Sequence, residues 1–302
     1  MHVGGAAEWL LEPATPEELR AAIAAAREAG HVPRILGGGA NLIVDDGVLP
    51  GVVITTDRMK RLFRPLAGVA NGLAESELPA SERVPRPREE GLELVAWSGV
   101  TLLALLRGAQ KLGWSGLAGL AGVPGQVGGG IAMNAGGKYG EMWDVVERLL
   151  VVDEQGRFVE LARAECKPSY RNANLGGLVV ASALLKFGLS TVEAVGEACR
   201  EYLAQKNKVQ PVTEWSAGCV WKNPDKETSA GRSAGMLVEQ AGMKGKTRGD
   251  AIVSPKHGNF VVNRGQATAR DVLALIGEVE DAVAQKFGLA LEREVKVWTT
   301  GR

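Results

Sequence analysis

The sequence predicts an α+β protein. Four stretches read as helices, the first and last with capping residues at their starts. Between them lie short apolar runs of strand length, two of them joined as a hairpin. Glycine adds a third observation: 40 of 302 residues, well above the usual share of about 7%, and gathered in two clusters.

In chain order, the first helix is expected over Pro16–Ala29. Thr15 serves as its cap, Pro16 suits the first helical position, Glu18 completes a capping box and Gly30 stops it. Leu19, Ile23 and Ala26 share its apolar face. Strands follow at Arg34–Leu36, briefly after Leu42, and at Gly51–Thr56. Four prolines punctuate the stretch from Arg64 to Glu90, which reads as an exposed insertion. Leu92–Trp97 resumes as a strand, and Thr101–Leu112 as a helix stopped by Gly113. Gly116–Gly140 holds the second glycine cluster, with a loop over Gly119–Gly130. Val145–Val152 and Arg157–Leu161 form a hairpin around Glu154-Gln155-Gly156, and Leu178–Phe187 is a buried strand. A helix runs from Ser190 to about Asn207. A strand at Asn259–Val262, a helix over Thr268–Phe287 with Asp271 completing its cap, and a strand at Leu291–Trp298 end the chain.

Composition narrows the function class. Hydrophobic residues make up 45%, enough for a sizeable core, and 35 basic residues balance 35 acidic ones. That balance gives no support to a nucleic-acid or membrane-surface partner. No apolar run approaches the roughly 20 residues that span a bilayer, and Met1–Glu12 has no signal-peptide pattern. Cys166, Cys199 and Cys219 are sparse and odd in number, which predicts free thiols, no metal site and a cytoplasmic protein.

The glycine clusters point to a phosphate-bearing ligand. In Gly37-Gly38-Gly39-Ala40-Asn41, absent side chains expose successive backbone N–H groups, a nest suited to pyrophosphate. A Rossmann fingerprint would open directly into a helix, whereas here Leu42-Ile43-Val44 reads as a strand. No Gly-Lys-Ser/Thr follows for a Walker loop. The second cluster, Gly119 to Gly130, is too rich in small residues for an ordinary turn. Tight packing of small residues between sheets is the competing explanation for each loop alone.

Several segments, in order along nearly the whole chain, resemble the UDP-N-acetylenolpyruvoylglucosamine reductase family. Val3-Gly4-Gly5-Ala6 is similar to its opening VGGPA, and Leu36 to Asp45 to its LGxGSNLLVxD, with Ala40 in place of Ser. Gly119 to Gly140 resembles GLxGIPGxVGGAxxMNAGAYGxE, and Ser169-Tyr170-Arg171-Asn172 resembles YRxS. Ser216 to Pro224 resembles SAGSxFKNP, with Cys219 in place of the serine. Ala234 to Glu239, Gly242 to Gly245 and Ser254 to Asn263 follow the AGxLIE, GLKG and HGNFxVN segments, and Leu291 to Lys296 follows LExEVR.

The resemblance implies an FAD-binding fold of the vanillyl-alcohol-oxidase (PCMH) type, with two subdomains over residues 1–189, and a C-terminal α+β substrate-binding domain over 190–302. It implies FAD held by Gly37, Gly38, Gly39, Ala40, Asn41, Leu42, Gly122, Val123, Pro124, Gly125, Gly128, Gly129 and Asn134, with NADPH as reductant. It implies a peptidoglycan-synthesis reaction on a sugar nucleotide, UDP-N-acetylglucosamine enolpyruvate. Reduced FAD gives a hydride from N5 to the terminal carbon of the enolpyruvyl ether. Charge then develops toward the carboxylate and needs a preorganised positive group. Arg171 would supply it in a fork. Glu294 would polarise the group as a protonated acid, which requires a raised pKa. Cys219 stands where the proton donor belongs. Tyr170, Lys222, Asn223, Lys244 and His257 fall in the substrate-binding motifs, with Lys206 and Lys208 as weaker basic candidates.

Each of these residues has a plainer explanation taken singly. An arginine after a tyrosine is usually a surface residue, a lone cysteine usually a small buried apolar one, and Glu292-Arg293-Glu294-Val295-Lys296 alternates like a solvent-facing strand. Two other functions stay open on the sequence: an FAD oxidoreductase of the same superfamily with another substrate, and a non-catalytic nucleotide-binding protein on this fold.

Overall fold

The computed structural model describes residues 1–65 and 91–301. All of the proline-punctuated stretch beyond Pro65 lies outside the described residues. The chain divides into two compact units. One comprises Trp9–Gly38 and Gly51–Ala204, the other Met1–Glu8, Gly39–Pro50 and Gln205–Arg302.

The first unit is built on a five-stranded antiparallel sheet, in the order Phe158–Ala162, Val146–Val152, Val179–Lys186, Glu93–Trp97, Leu62–Phe63. Leu149 lies opposite Ala183, and Ala183 opposite Ala96. Side chains alternate between faces. Leu149, Val151, Ala183, Leu185, Leu94 and Ala96 therefore join one core, while Leu150, Val152, Val95 and Trp97 join another. A bulge at Ala181 switches the phase of the central strand, so Val180 sides with Ala183 and Ala181 with the opposite face.

Helices cover both faces. α1 (Pro16–Glu28) buries Leu19, Ile23 and Ala26 on the second face. The Thr15 hydroxyl caps it, accepting the Glu18 N–H at 3.1 Å. The Glu18 carboxylate accepts the Ala14 N–H at 2.7 Å, one residue before the cap, so the expected capping box closes one position early. α2 (Leu102–Leu112) packs on the first face, starting at Thr101 and ending at Gly113 with φ 70°. α3 (Val127–Ala132) rises out of the second glycine cluster, where the sequence predicts loop. Three glycines in six residues argue against a helix on propensity. Val127 and Ile131, both fully buried, supply the packing that overrides it. α4 (Arg163–Cys166) is a single turn after the hairpin. α5 (Val192–Val209) begins beside Thr191, whose hydroxyl accepts the Ala194 N–H at 3.1 Å. Arg34–Leu36 pairs in parallel with Val53–Thr55 and delivers the chain to Gly37.

The second unit holds a four-stranded antiparallel sheet, ordered Trp215–Cys219, Phe260–Asn263, Ala251–Val253, Thr247–Arg248. α6 (Ala234–Gln240) and α7 (Ala269–Phe287) share a core with it. Leu237 and Val238 meet Val272, Leu275, Ile276 and Val279 there, together with Val220, Val253 and Val261. α7 starts with the predicted Thr268/Asp271 capping box. Leu42–Val44 pairs in parallel with Lys296–Trp298. The sequence predicts a strand from Leu291 onward, but only Lys296–Trp298 is one. Upstream, the N–H groups of Glu294 and Val295 both donate to the Val220 carbonyl, at 2.8 and 3.2 Å. That shared acceptor bends the run onto the end of the Trp215–Cys219 strand instead of extending a ladder.

The three cysteines are free thiols. Among the described residues no helix is long and apolar enough to cross a membrane.

Candidate active site

In the first unit, the two glycine segments pass backbone to backbone. A Cβ added to Gly38 would come 3.2 Å from the Cα of Gly125. Gln126, 4% exposed, pins this crossing. Its side-chain oxygen accepts the Thr56 hydroxyl at 2.8 Å, and its amide nitrogen donates to the Asp57 carboxylate at 3.1 Å. On its far side, a Cβ at Gly37 would lie 3.5 Å from that same oxygen. At Gly129 a Cβ would meet nothing within 4 Å, so this glycine opens onto free space. Bare backbone, close approach and an open face are what a dinucleotide's phosphates require. The residues present therefore fit FAD. Gly37, Gly38, Gly122, Val123, Pro124, Gly125, Gly128, Gly129 and Asn134 lie in this unit; Gly39, Ala40, Asn41 and Leu42 lie in the other.

Arg171 sits in a tight turn. Ser169 and Asn172 exchange backbone hydrogen bonds at 2.8 and 3.2 Å, leaving Tyr170 and Arg171 at the tip. Arg171 has φ 57°, a left-handed conformation that a long side chain rarely adopts. Asn134, also left-handed at φ 41°, holds the turn from beneath. It is 1% exposed. Its amide nitrogen donates to the Ser169 carbonyl at 3.2 Å, and its side-chain oxygen accepts the Trp143 N–H at 3.3 Å. The Arg171 guanidinium donates to the Asn134 carbonyl at 3.4 Å and lies over the Tyr170 ring at 5.0 Å. Backbone strain of this kind persists where surrounding structure over-determines it, and it concentrates at functional sites.

In the second unit, Cys219 ends its strand at a bulge. Ser216 pairs with Val262 and Cys219 with Phe260, with the register shift between them. Gly218, at φ 78°, makes the bend, and bulges of this type re-aim the side chain that follows. Glu294 is brought beside Cys219 through the Val220 carbonyl that accepts its N–H. The Asn41 amide donates to the Glu294 carbonyl at 3.1 Å, fixing the same backbone from the other side. Glu294 is 9% exposed, which overturns a solvent-facing strand for this run. Its neighbour Arg293 points elsewhere, gripping Glu280 of α7 with two bonds of 2.7 Å.

The remaining candidates form smaller groups in this unit. The Lys222 ammonium meets the Glu292 carboxylate at 2.6 Å. The Asn223 side-chain oxygen accepts the N–H of Ala234, the first residue of α6, at 3.1 Å. Lys244 pairs with Glu239 at 3.2 Å. The His257 Nδ1 accepts the Asn259 N–H at 3.1 Å, so this nitrogen carries no proton. Burial holds the His257 imidazole below its ordinary pKa; the Lys244 charge acts the same way and Glu239 opposes it. Lys206, toward the end of α5, is pushed down to about 8 by burial.

Two residues in these groups escape a reading for chemical types. Gln126 sits inside the second glycine segment, and an amide there carries no chemical signature. Asn259 is 4% exposed. Its side chain accepts the Trp221 N–H at 2.8 Å and donates to the Trp221 carbonyl at 2.7 Å, while its own carbonyl takes the Val220 N–H at 2.9 Å. It thereby clamps the backbone next to Cys219. The segment His257-Gly258-Asn259-Phe260 was the available signal.

Two family models match successive parts of the chain. Residues 7–72 and 82–162 match the model of an FAD binding domain. Residues 210–298 match that of the UDP-N-acetylenolpyruvoylglucosamine reductase C-terminal domain. The chain is 40% identical over 300 residues to a UDP-N-acetylenolpyruvoylglucosamine reductase of Deinococcus radiodurans, covering 98% of this chain and 91% of that one. It is 38% identical over 303 residues to the protein of that name from Desulfosudis oleivorans, covering 98% and 90%. The crystal structure of the Thermus caldophilus reductase superposes with a TM-score of 0.73 at 33% identity, covering 98% of this chain and 94% of that one. The fold is thus α+β, an FAD-binding domain followed by the reductase C-terminal domain, and FAD is its cofactor. At 38–40% identity across 98% of its length to reductases of that name, the chain belongs to the UDP-N-acetylenolpyruvoylglucosamine reductase family.

Proposed function

We propose that this protein reduces UDP-N-acetylglucosamine enolpyruvate to UDP-N-acetylmuramate for peptidoglycan synthesis in the cytoplasm. The observation that carries the reading is similarity to reductases of that name across 98% of the chain. FAD, reduced by NADPH when bound, supplies the hydride that adds to the terminal carbon of the enolpyruvyl ether. NADP leaves before the sugar nucleotide enters.

The chain's own residues then have three tasks. Arg171 binds the substrate carboxylate in a fork and offsets the charge that grows as the double bond is reduced. The strained turn beneath Arg171 fixes its aim. Glu294, which is buried, polarises the same group. The Cys219 Sγ–H gives its proton to the carbon next to the carboxylate, which completes the saturated lactyl ether. A thiol with reference pKa of about 8.5 is a stronger acid than the serine hydroxyl it replaces and still protonates a carbanion. Tyr170, Lys222, Asn223, Lys244 and His257 bind the sugar nucleotide, the cations meeting its diphosphate.

The test is NADPH oxidation by FAD-loaded protein with and without UDP-N-acetylglucosamine enolpyruvate. The reading expects oxidation that depends on the enolpyruvyl substrate and yields UDP-N-acetylmuramate. Equal oxidation in its absence, with no muramate formed, would refute it.

A further inference from the structure

Helix α5 lies outside every motif named above, yet its middle turns are fastened to the FAD-binding unit. Val195 and Gly196 are buried, and Cys199 packs against the same core as Val123 of the second glycine segment. Gly196 lies tight against α2: a Cβ there would come 2.7 Å from the Gln110 amide nitrogen. Val195, Cys199 and Tyr202 follow at i, i+4 and i+7, one face of the helix.

Tyr202 and Leu203 then reach the two ends of the glycine segment. The Tyr202 ring stacks on Tyr139, with centroids 4.7 Å apart and planes inclined by 23°. Leu203 lies over Gly122, where an added Cβ would come 2.7 Å from the leucine Cδ1. Tyr139 and Gly122 bracket the stretch Val123–Gly129 that meets Gly38 and opens at Gly129. The base of this loop is already closed, since the Tyr139 carbonyl sits where a Cβ on Gly119 would be, at 2.1 Å. One turn of α5 therefore packs on Gly122, where the chain enters the short loop leading into α3, and on Tyr139, beyond α3.

We propose that Tyr202 and Leu203 are positioning residues for FAD: they hold the Gly122–Gln126 loop, which leads into α3, in the form that receives the cofactor. Ordering a glycine-rich loop costs conformational entropy. A loop held by side-chain packing before the ligand arrives spares part of that cost at the binding step. Because Leu203 is 37% exposed, its contacts add little to the core and act mainly on the loop. The inference rests on FAD binding alone, not on the sugar-nucleotide substrate.

The experiment titrates FAD into apoprotein, reading flavin fluorescence and the visible circular dichroism of bound flavin. Tyr202→Ala is expected to weaken FAD binding about tenfold and to change the flavin dichroism. Tyr202→Phe, which keeps the stacked ring, should stay within about twofold of wild type. Glu197→Ala, at an exposed position of the same helix, should leave affinity unchanged. If Tyr202→Ala does not fold, Leu203→Ala carries the test, with an expected loss of about threefold. Unchanged FAD affinity in both alanine variants would overturn the proposal. So would a loss in Tyr202→Phe as large as in Tyr202→Ala.

Discussion

Arg293 and Glu294 are adjacent in a run of alternating charge, and tertiary contacts send them to opposite places. Arg293 goes out to Glu280, while Glu294 is buried with its N–H on the carbonyl of Val220, the residue after Cys219. Nothing in the local pattern separates the two, because the deciding partner lies on α7 and the bending acceptor is the Val220 carbonyl. Glu280 also accepts the indole N–H of fully buried Trp221 at 2.9 Å. Glu280→Ala should therefore cost about 1–3 kcal/mol in a denaturant melt by orphaning these donors, and Glu280→Gln, which keeps an acceptor, clearly less. His257 gives a pH signature. Its folded pKa lies below its ordinary value, so its contribution is present above the unfolded pKa of about 6.5 and is lost as pH falls through the folded one. The melting temperature should drop between pH 7 and pH 5, and His257→Gln should flatten that slope. The types of Arg171, Cys219 and Glu294 were legible in the sequence through the ordered motifs. The Asn134 and Asn259 clamps that fix their backbones needed the structure, since amides bonded to main chain look like any other asparagine.

Elements show the same split between local and distant causes. The helices at Pro16, Thr101 and Thr268 are legible because caps, stops and apolar faces lie within a few residues of each other. α3 is not, because its glycines speak against a helix and only burial of Val127 and Ile131 speaks for it. The start of α7 combines both kinds of cause. Thr268 and Asp271 form a readable box, but the N–H groups of Ala269 and Arg270 also donate to the Asp46 carboxylate, at 2.7 and 3.0 Å. That residue lies more than 200 positions upstream, beyond any sequence window. Asp46→Ala should cost about 1 kcal/mol, comparable to Thr268→Ala, since each removes a cap at the same helix end. Urea melts of the two single variants and the double would check this. A stability unchanged by Asp46→Ala would mean that the box alone satisfies the helix start.

At the scale of the whole molecule, the family motifs run in order through both compact units, and that order made the fold class and the cofactor readable before any coordinates. Individual loops did not suffice, since either glycine cluster alone fits tight packing as well as phosphate binding. FAD recognised by the native chain must also stabilise it. At a free concentration of about 100 times its dissociation constant the gain should be about 2.7 kcal/mol, seen as a melting temperature that rises with added FAD. No rise would contradict native-state FAD binding. The proposed mechanism makes a sharper demand, because it assigns the proton to one sulfur. Burial raises the thiol pKa values of Cys166 and Cys199, so neither is a ready substitute. The most direct measurement is stopped-flow: the flavin is reduced with NADPH, the protein is mixed with UDP-N-acetylglucosamine enolpyruvate, and flavin absorbance is followed as it returns. With Cys219 as the donor, Cys219→Ser should keep substantial activity and Cys219→Ala should slow the return by about 10²–10⁴-fold. A return at the wild-type rate in Cys219→Ala would contradict the account.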